Sequence, residues 1–155
     1  MIGGLLLPEW DEDSEPFFTS AAAGELRVQR CAACEARRMP PRPMCPRCRS
    51  FDADWELLSG RARIWSFAVP HPPLLPAYSA MAPYNVVVVE AHEDASIRFC
   101  GNLVVTADGP LDEIDPSTIA IGEPVHAVFP APVDDGAGPV VFPRWARGWR
   151  GRDGS

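Results

Sequence analysis

Four of the five cysteines in this 155-residue chain carry its clearest chemistry, in the pattern Cys31-x2-Cys34-x10-Cys45-x2-Cys48. Each C-x2-C pair can fold two thiolates around one side of a metal ion, and two such knuckles complete a tetrahedron. Zinc accepts four sulfurs without a redox change. A closed four-thiolate shell leaves no position for water or substrate, so one structural zinc ion is expected. The intervening residues, Ala32-Ala33 and Pro46-Arg47, are small or turn-forming, as a knuckle requires. An iron site has the same ligand set, and the spacing does not separate the two metals. Disulfides are the third reading, ranked lower because paired C-x2-C spacing in a cytosolic setting favours metal.

The remaining groups are less specific. Cys100 lies in a strand-like segment and is expected to be a packing cysteine, because no positioned base accompanies it. His71, His92 and His126 stand in separate segments with no triad or metal spacing. Asp112, Glu113 and Asp115 cluster, but a solvated helical insert accounts for them. All 14 basic residues are Arg, set against 21 acidic residues for a net charge of −7. That balance argues against a general nucleic-acid binder, which needs a positive field around phosphate. Nine arginines nevertheless fall within residues 27–63, and Arg144, Arg147, Arg150 and Arg152 crowd the tail. These two zones suit a phosphate-bearing ligand or an acidic partner surface; a solvated basic face is the alternative.

The elements that must position these groups follow from periodicity and punctuation. Residues 1–24 read as an arm followed by a helix over 15–23, capped by Ser14 and ended by Gly24. The apolar opening Met1–Leu7 has no basic leader, so a secretory signal is not expected and a cytoplasmic location is the default. No apolar run approaches the ~18 residues of a membrane span. Residues 25–59 contain a short strand, the cysteine pairs joined by the stiff Met39–Met44 segment, and a strand over 54–59 bearing Trp55 and Leu57. Residues 60–146 then alternate as strands near 61–69, 84–91, 96–106, 124–129 and 140–144, with a helical turn after Asp115-Pro116. The four-valine run is expected to be buried on both faces. Five strands with an insert before the fourth fit a small oligonucleotide/oligosaccharide-binding (OB) barrel, with a sandwich as the alternative. Residues 147–155 form a tail. The fold is therefore expected to be mainly β: an N-terminal helix, a rubredoxin-like ribbon, then a five-stranded OB-fold barrel.

Several segments together resemble the DUF35 family. They are Phe17-Phe18, Gly24–Cys34, Pro40–Cys48, Trp55-x3-Ser59-Gly60, Ala82–Glu90, Gly101–Val104 and Ile121–Val125. The resemblance spans about residues 14–146. Glu35 departs from the glycine usual after the second cysteine, which weakens the knuckle turn but not the ligand set. The resemblance implies a zinc ribbon followed by an OB-fold. It also implies a partner of thiolase-like enzymes, including acyltransferases and the lipid-transfer-protein-like aldolases that act on steroid side-chain thioesters.

Three functions compete. In the first, the chain is a non-catalytic subunit beside a thiolase-like enzyme acting on acyl-CoA. Arg61, Arg63 and Trp65 share a strand face suited to CoA phosphates and adenine, with core packing of Trp65 and Phe67 as the alternative. Leu74, Leu75 and Tyr78 in the Pro-rich loop after the first barrel strand, with Arg144, Trp145 and Trp149, have the residue types of interface hot spots. The second function is single-stranded nucleic-acid binding, disfavoured by the charge and the lack of Lys. The third is a stand-alone acyl-CoA enzyme, for which no catalytic constellation is visible.

Overall fold

A computed structural model describes residues 6–134 and 138–149. Parts of the arm and of the tail, including Arg150 and Arg152, lie outside these residues.

Helix α1 spans Glu15–Ala22. Its start differs from expectation: Ser14 makes no cap bond, and its hydroxyl instead donates to Asp11 Oδ1 at 2.6 Å, within a turn that precedes the helix. Its end follows from Gly24, whose φ of +76° admits a left-handed stop. The Gly24 N–H donates to Ala21 O at 3.0 Å and the Glu25 N–H to Ser20 O at 2.9 Å, so the last carbonyls are satisfied. Phe17, Phe18 and Ala21 form the buried face.

Three short strands make the ribbon sheet: β1 (Arg27–Cys31), β2 (Arg37–Arg38) and β3 (Ala53–Leu57), in the order β2-β1-β3 and antiparallel throughout. Five strands make the second sheet. These are β4 (Arg61–Ala68), β5 (Val86–Ala91), β6 (Arg98–Gly101), β7 (Pro124–Val128) and β10 (Arg144–Arg147), ordered β10-β7-β4-β5-β6. A four-residue helix, α2 (Pro76–Ser79), sits in the β4–β5 loop, a 3-10 turn (Pro116–Thr118) precedes β7, and β8 (Val133–Asp134) pairs with β9 (Pro139–Val140). The sheet's two edges meet at one parallel bridge, Leu103 to Trp145, where Trp145 N–H donates to Asn102 O and Val104 N–H to Trp145 O. This curls the sheet into the partly closed barrel of an OB-fold rather than a sandwich. Asn85, completely buried, ties the same seam: its amide accepts from Leu103 N–H at 2.6 Å and donates to Leu103 O at 2.9 Å.

Helix, ribbon and barrel share one core. Phe17, Phe18, Leu26 and Val28 pack in the same cluster as Ile64, Val89 and Trp145. Across the junction, Arg37 lies 3.6 Å from Asp94 and Glu93 accepts the Ser59 N–H at 2.6 Å.

Several expectations need correction. The last barrel strand is Arg144–Arg147, not 140–144, because Val140 is taken by the small hairpin with Val133. The valine run buries one face only: Val87 and Val89 are fully buried, Val86 and Val88 half-buried. Cys100 is exposed, since its register opposite Val88 turns it outward while Phe99, opposite Val89, turns in. No helix among the described residues is long and apolar enough to cross a membrane.

Candidate metal centre

The two knuckles bring Cys31, Cys34, Cys45 and Cys48 together, with all four sulfurs within 4.8 Å of one another. Across the knuckles, Cys31 and Cys48 sulfurs are 3.5 Å apart and those of Cys34 and Cys45 3.7 Å apart. A tetrahedron with Zn–S bonds of about 2.3 Å has edges of about 3.8 Å, so the cluster fits one zinc ion without rearrangement.

The local backbone explains why the sulfurs converge. In the first knuckle Glu35 N–H donates to Cys31 O at 3.0 Å, and in the second Arg49 N–H donates to Cys45 O at 2.8 Å. Cys31 N–H and Cys45 N–H are bonded to Ala36 O and Ser50 O, which closes each turn. The first knuckle grows directly out of the end of β1, and the proline-rich segment carries the chain across to the second.

Electrostatics call for a cation here. The backbone N–H of Cys48, then that of Arg47, holds the Cys45 thiol down to about 6. Cys31 is likewise lowered, chiefly by the Cys34 N–H. Cys48 moves the other way, up to about 12. The Ser50 N–H favours its thiolate, but the shared hydrogens of Cys31, burial, and the thiols of Cys34 and Cys45 outweigh it. Four sulfurs this close cannot all ionise on their own; a divalent metal lets them. The four cysteines would hold zinc in a closed shell, which supplies folding energy and no reaction step.

Elsewhere the predicted site residues are dispersed. Arg61 and Arg63 lie over the Trp149 ring, at 5.9 and 4.7 Å from its centroid, whereas Trp65 lies beneath Arg98 at 3.7 Å. The strand-face cluster is thus divided between two stacks. The alternative, core packing of Trp65 and Phe67, does not hold, because both are exposed. A register shift between Ile64 and Ser66 reorients this part of β4.

Leu75 is exposed, and Leu74 and Tyr78 are half-buried around α2. Arg144 spends its guanidinium on the carbonyls of Ala107 and Gly109, both at 2.9 Å. Trp145 has no exposed surface, so as folded it offers nothing to a partner; its ring fills the barrel core against Phe99. Trp149 remains partly exposed and donates from Nε1 to Ala62 O at 3.1 Å. His92 stacks edge-on against Trp149, His126 bonds the Gly148 carbonyl, and His71 is exposed. Among the described residues none of the three has a carboxylate hydrogen-bond partner. Asn85 and the buried pair Gln29–Arg38 were not anticipated, because a lone polar residue in a strand reads as surface until its partners are known.

Comparison with known proteins agrees with this architecture. Residues 18–54 match the family model described as the ChsH2 rubredoxin-like zinc ribbon domain, and residues 55–130 match the ChsH2 C-terminal OB-fold domain. The chain is 39% identical over 118 residues to a probable enoyl-CoA hydratase alpha subunit of Thermomonospora curvata, covering 76% of this chain and 33% of that one. It is 30% identical over 142 residues to the 3-oxo-4,17-pregnadiene-20-carboxyl-CoA hydratase alpha subunit of Mycobacterium tuberculosis, covering 92% and 38%. It therefore spans 33% and 38% of the length of these curated relatives. A chain in a solved structure of an Ltp2-ChsH2(DUF35) aldolase superposes with a TM-score of 0.73 and 34% identity, over 91% of this chain and 98% of that one. With both domain models matched in order and four cysteines gathered at zinc-binding distances, the chain belongs to the ChsH2-type DUF35 family of zinc-ribbon and OB-fold proteins.

Proposed function

We propose that this chain is a zinc-stabilised, non-catalytic subunit that associates with a thiolase-like enzyme acting on acyl-CoA thioesters, in the cytoplasm and in steroid or lipid side-chain degradation. The observation that carries the reading is the match to 98% of the DUF35 chain in the aldolase structure, at 34% identity. Relatives named as CoA hydratase subunits point to the same substrate class. The chain's own chemistry is consistent with a supporting role: its one cluster of reactive groups among the described residues closes on a metal, and its histidines have no carboxylate partners.

Leu75 with Leu74 and Tyr78, and the Trp149 stack with Arg61 and Arg63, are the surfaces assigned to the partner. Trp65 beneath Arg98 is assigned to the adenine end of the thioester, because a flat cation-backed ring suits stacking. Arg144 is retained only at the margin of the interface, since its Nη1 is already bonded to two carbonyls. The test is co-purification of the tagged full chain from its native cells. A stoichiometric thiolase-like protein establishes the reading. A chain that emerges alone and stable, and turns over an acyl-CoA without a partner, overturns it.

A further inference from the structure

We propose that the seam between ribbon and barrel contains an oxyanion site built on Arg38, which binds the phosphate or carboxylate of a small ligand. A cleft of about 210 Å³ opens here, lined by Arg37, Arg38, Met39, Arg42 and, from the barrel, Ser96 and Ile97. Arg38 is only 5% exposed. Its Nε donates to Gln29 Oε1 at 2.8 Å, and the same oxygen accepts the Arg42 backbone N–H at 2.8 Å. Gln29 is itself 5% exposed, so the guanidinium is held from one edge by a fixed acceptor. The opposite edge, Nη1 and Nη2, is buried and has no protein hydrogen-bond partner.

A guanidinium nitrogen donates and cannot accept, so this edge is an oriented, unmatched set of donors. Buried polar groups are almost always satisfied, and buried charges are almost always paired. The acids nearby serve another residue: Glu56 binds Arg37 at 2.8 Å and Asp94 lies 3.6 Å from it. Arg42 is exposed, and its side chain has no partner among the described residues. Arg38 and Arg42 are thus unmatched cations of the cleft lining, and the two-pronged geometry of the Nη edge matches the oxygens of a phosphate or carboxylate. Because the Nη atoms have almost no accessible surface, an anion reaches them only when the lining side chains yield, and Arg42, exposed and without a side-chain partner among the described residues, is the one proposed to yield. The site requires no partner enzyme and stands apart from the function proposed above.

The experiment is calorimetric titration of the zinc-loaded full chain with inorganic phosphate, pyrophosphate and citrate, at constant ionic strength maintained with chloride. The expected result is saturable one-to-one binding of at least one of these anions, weakened at least tenfold in Arg38→Met and several-fold in Arg42→Gln. Zinc content and melting temperature confirm that each variant is folded; if Arg38→Met does not fold, the exposed Arg42→Gln decides. Preference for pyrophosphate assigns a phosphate-bearing ligand, and preference for citrate a carboxylate. Non-saturable binding, or equal affinity in wild type and in every folded variant, shows an adventitious ion only and overturns the site.

Discussion

Glu35 and Arg49 occupy equivalent places in the two cysteine knuckles. Each follows the second cysteine of its pair, each donates its N–H to the first cysteine's carbonyl, and each has a left-handed backbone, with φ of 61° and 65°. A side chain in that region costs about 1 kcal/mol relative to glycine. Arg49→Gly is expected to stabilise the protein by about that amount, raising Tm by roughly 2–4 °C. Glu35→Gly should gain less, because it also removes the 2.6 Å pair with Arg30, an exposed contact of well under about 1 kcal/mol. Calorimetric melting of the two zinc-loaded variants checks the order.

Metal removal should unfold the ribbon. Cys45 is completely buried among four converging sulfurs, and Cys45→Ser deletes one ligand of a closed shell. Structural zinc supplies on the order of 10 kcal/mol of apparent binding energy in small domains, so the variant should lose stoichiometric zinc and much of its cooperative melting. Elemental analysis and circular dichroism read both. Since zinc displaces thiol protons, wild type should also release metal to a chelator more readily as the pH falls.

Acid should weaken the ribbon, and through Asp94 its junction with the barrel, by a separate route. The hydrogen bond from Arg37 holds the Glu56 carboxyl below its usual 4.5, and the Ser96 hydroxyl, then Arg37, holds Asp94 below 3.8. Both folded values are depressed, so the stabilisation is complete above the unfolded values and is lost as pH falls through the folded ones. Glu56→Gln should therefore cost about 0.5–1 kcal/mol, constant above pH ~5 and shrinking towards pH 3. The measurement is the difference in Tm between wild type and variant across that range, which cancels effects common to both.

Substitutions in the barrel core and in the exposed loop between β4 and β5 should separate fold from association. Trp145→Ala empties a completely buried site and should cost about 3–5 kcal/mol. Gly101→Ala should destabilise too, because its Cβ would lie 2.8 Å from Pro143 O and 2.9 Å from Trp145 Nε1. Leu75→Asp, at a position 58% exposed, should leave the folding stability within about 0.5 kcal/mol of wild type while reducing partner recovery. Loss of recovery in Trp145→Ala without loss of Tm would contradict the core assignment.

The metal ligands, the helix ending at Gly24 and the positions of the first four barrel strands were legible in the sequence because each rests on local chemistry. C-x2-C knuckles, a left-handed glycine and alternating hydrophobicity are set by a few neighbouring residues. Contacts between distant segments were not legible. Trp145 reads as a tail aromatic suited to an interface, and only the bridge to Leu103, 42 positions earlier in the chain, turns it into the barrel's core. Cys100 and the outer valines follow the same reason: which side of a strand is buried depends on what packs across it. Arg38 is one of nine arginines in a basic stretch, and composition alone does not distinguish it from the rest. Its burial, its single tie to Gln29 and its unmatched edge arise only where the ribbon meets the barrel, because desolvation is a property of the assembled fold.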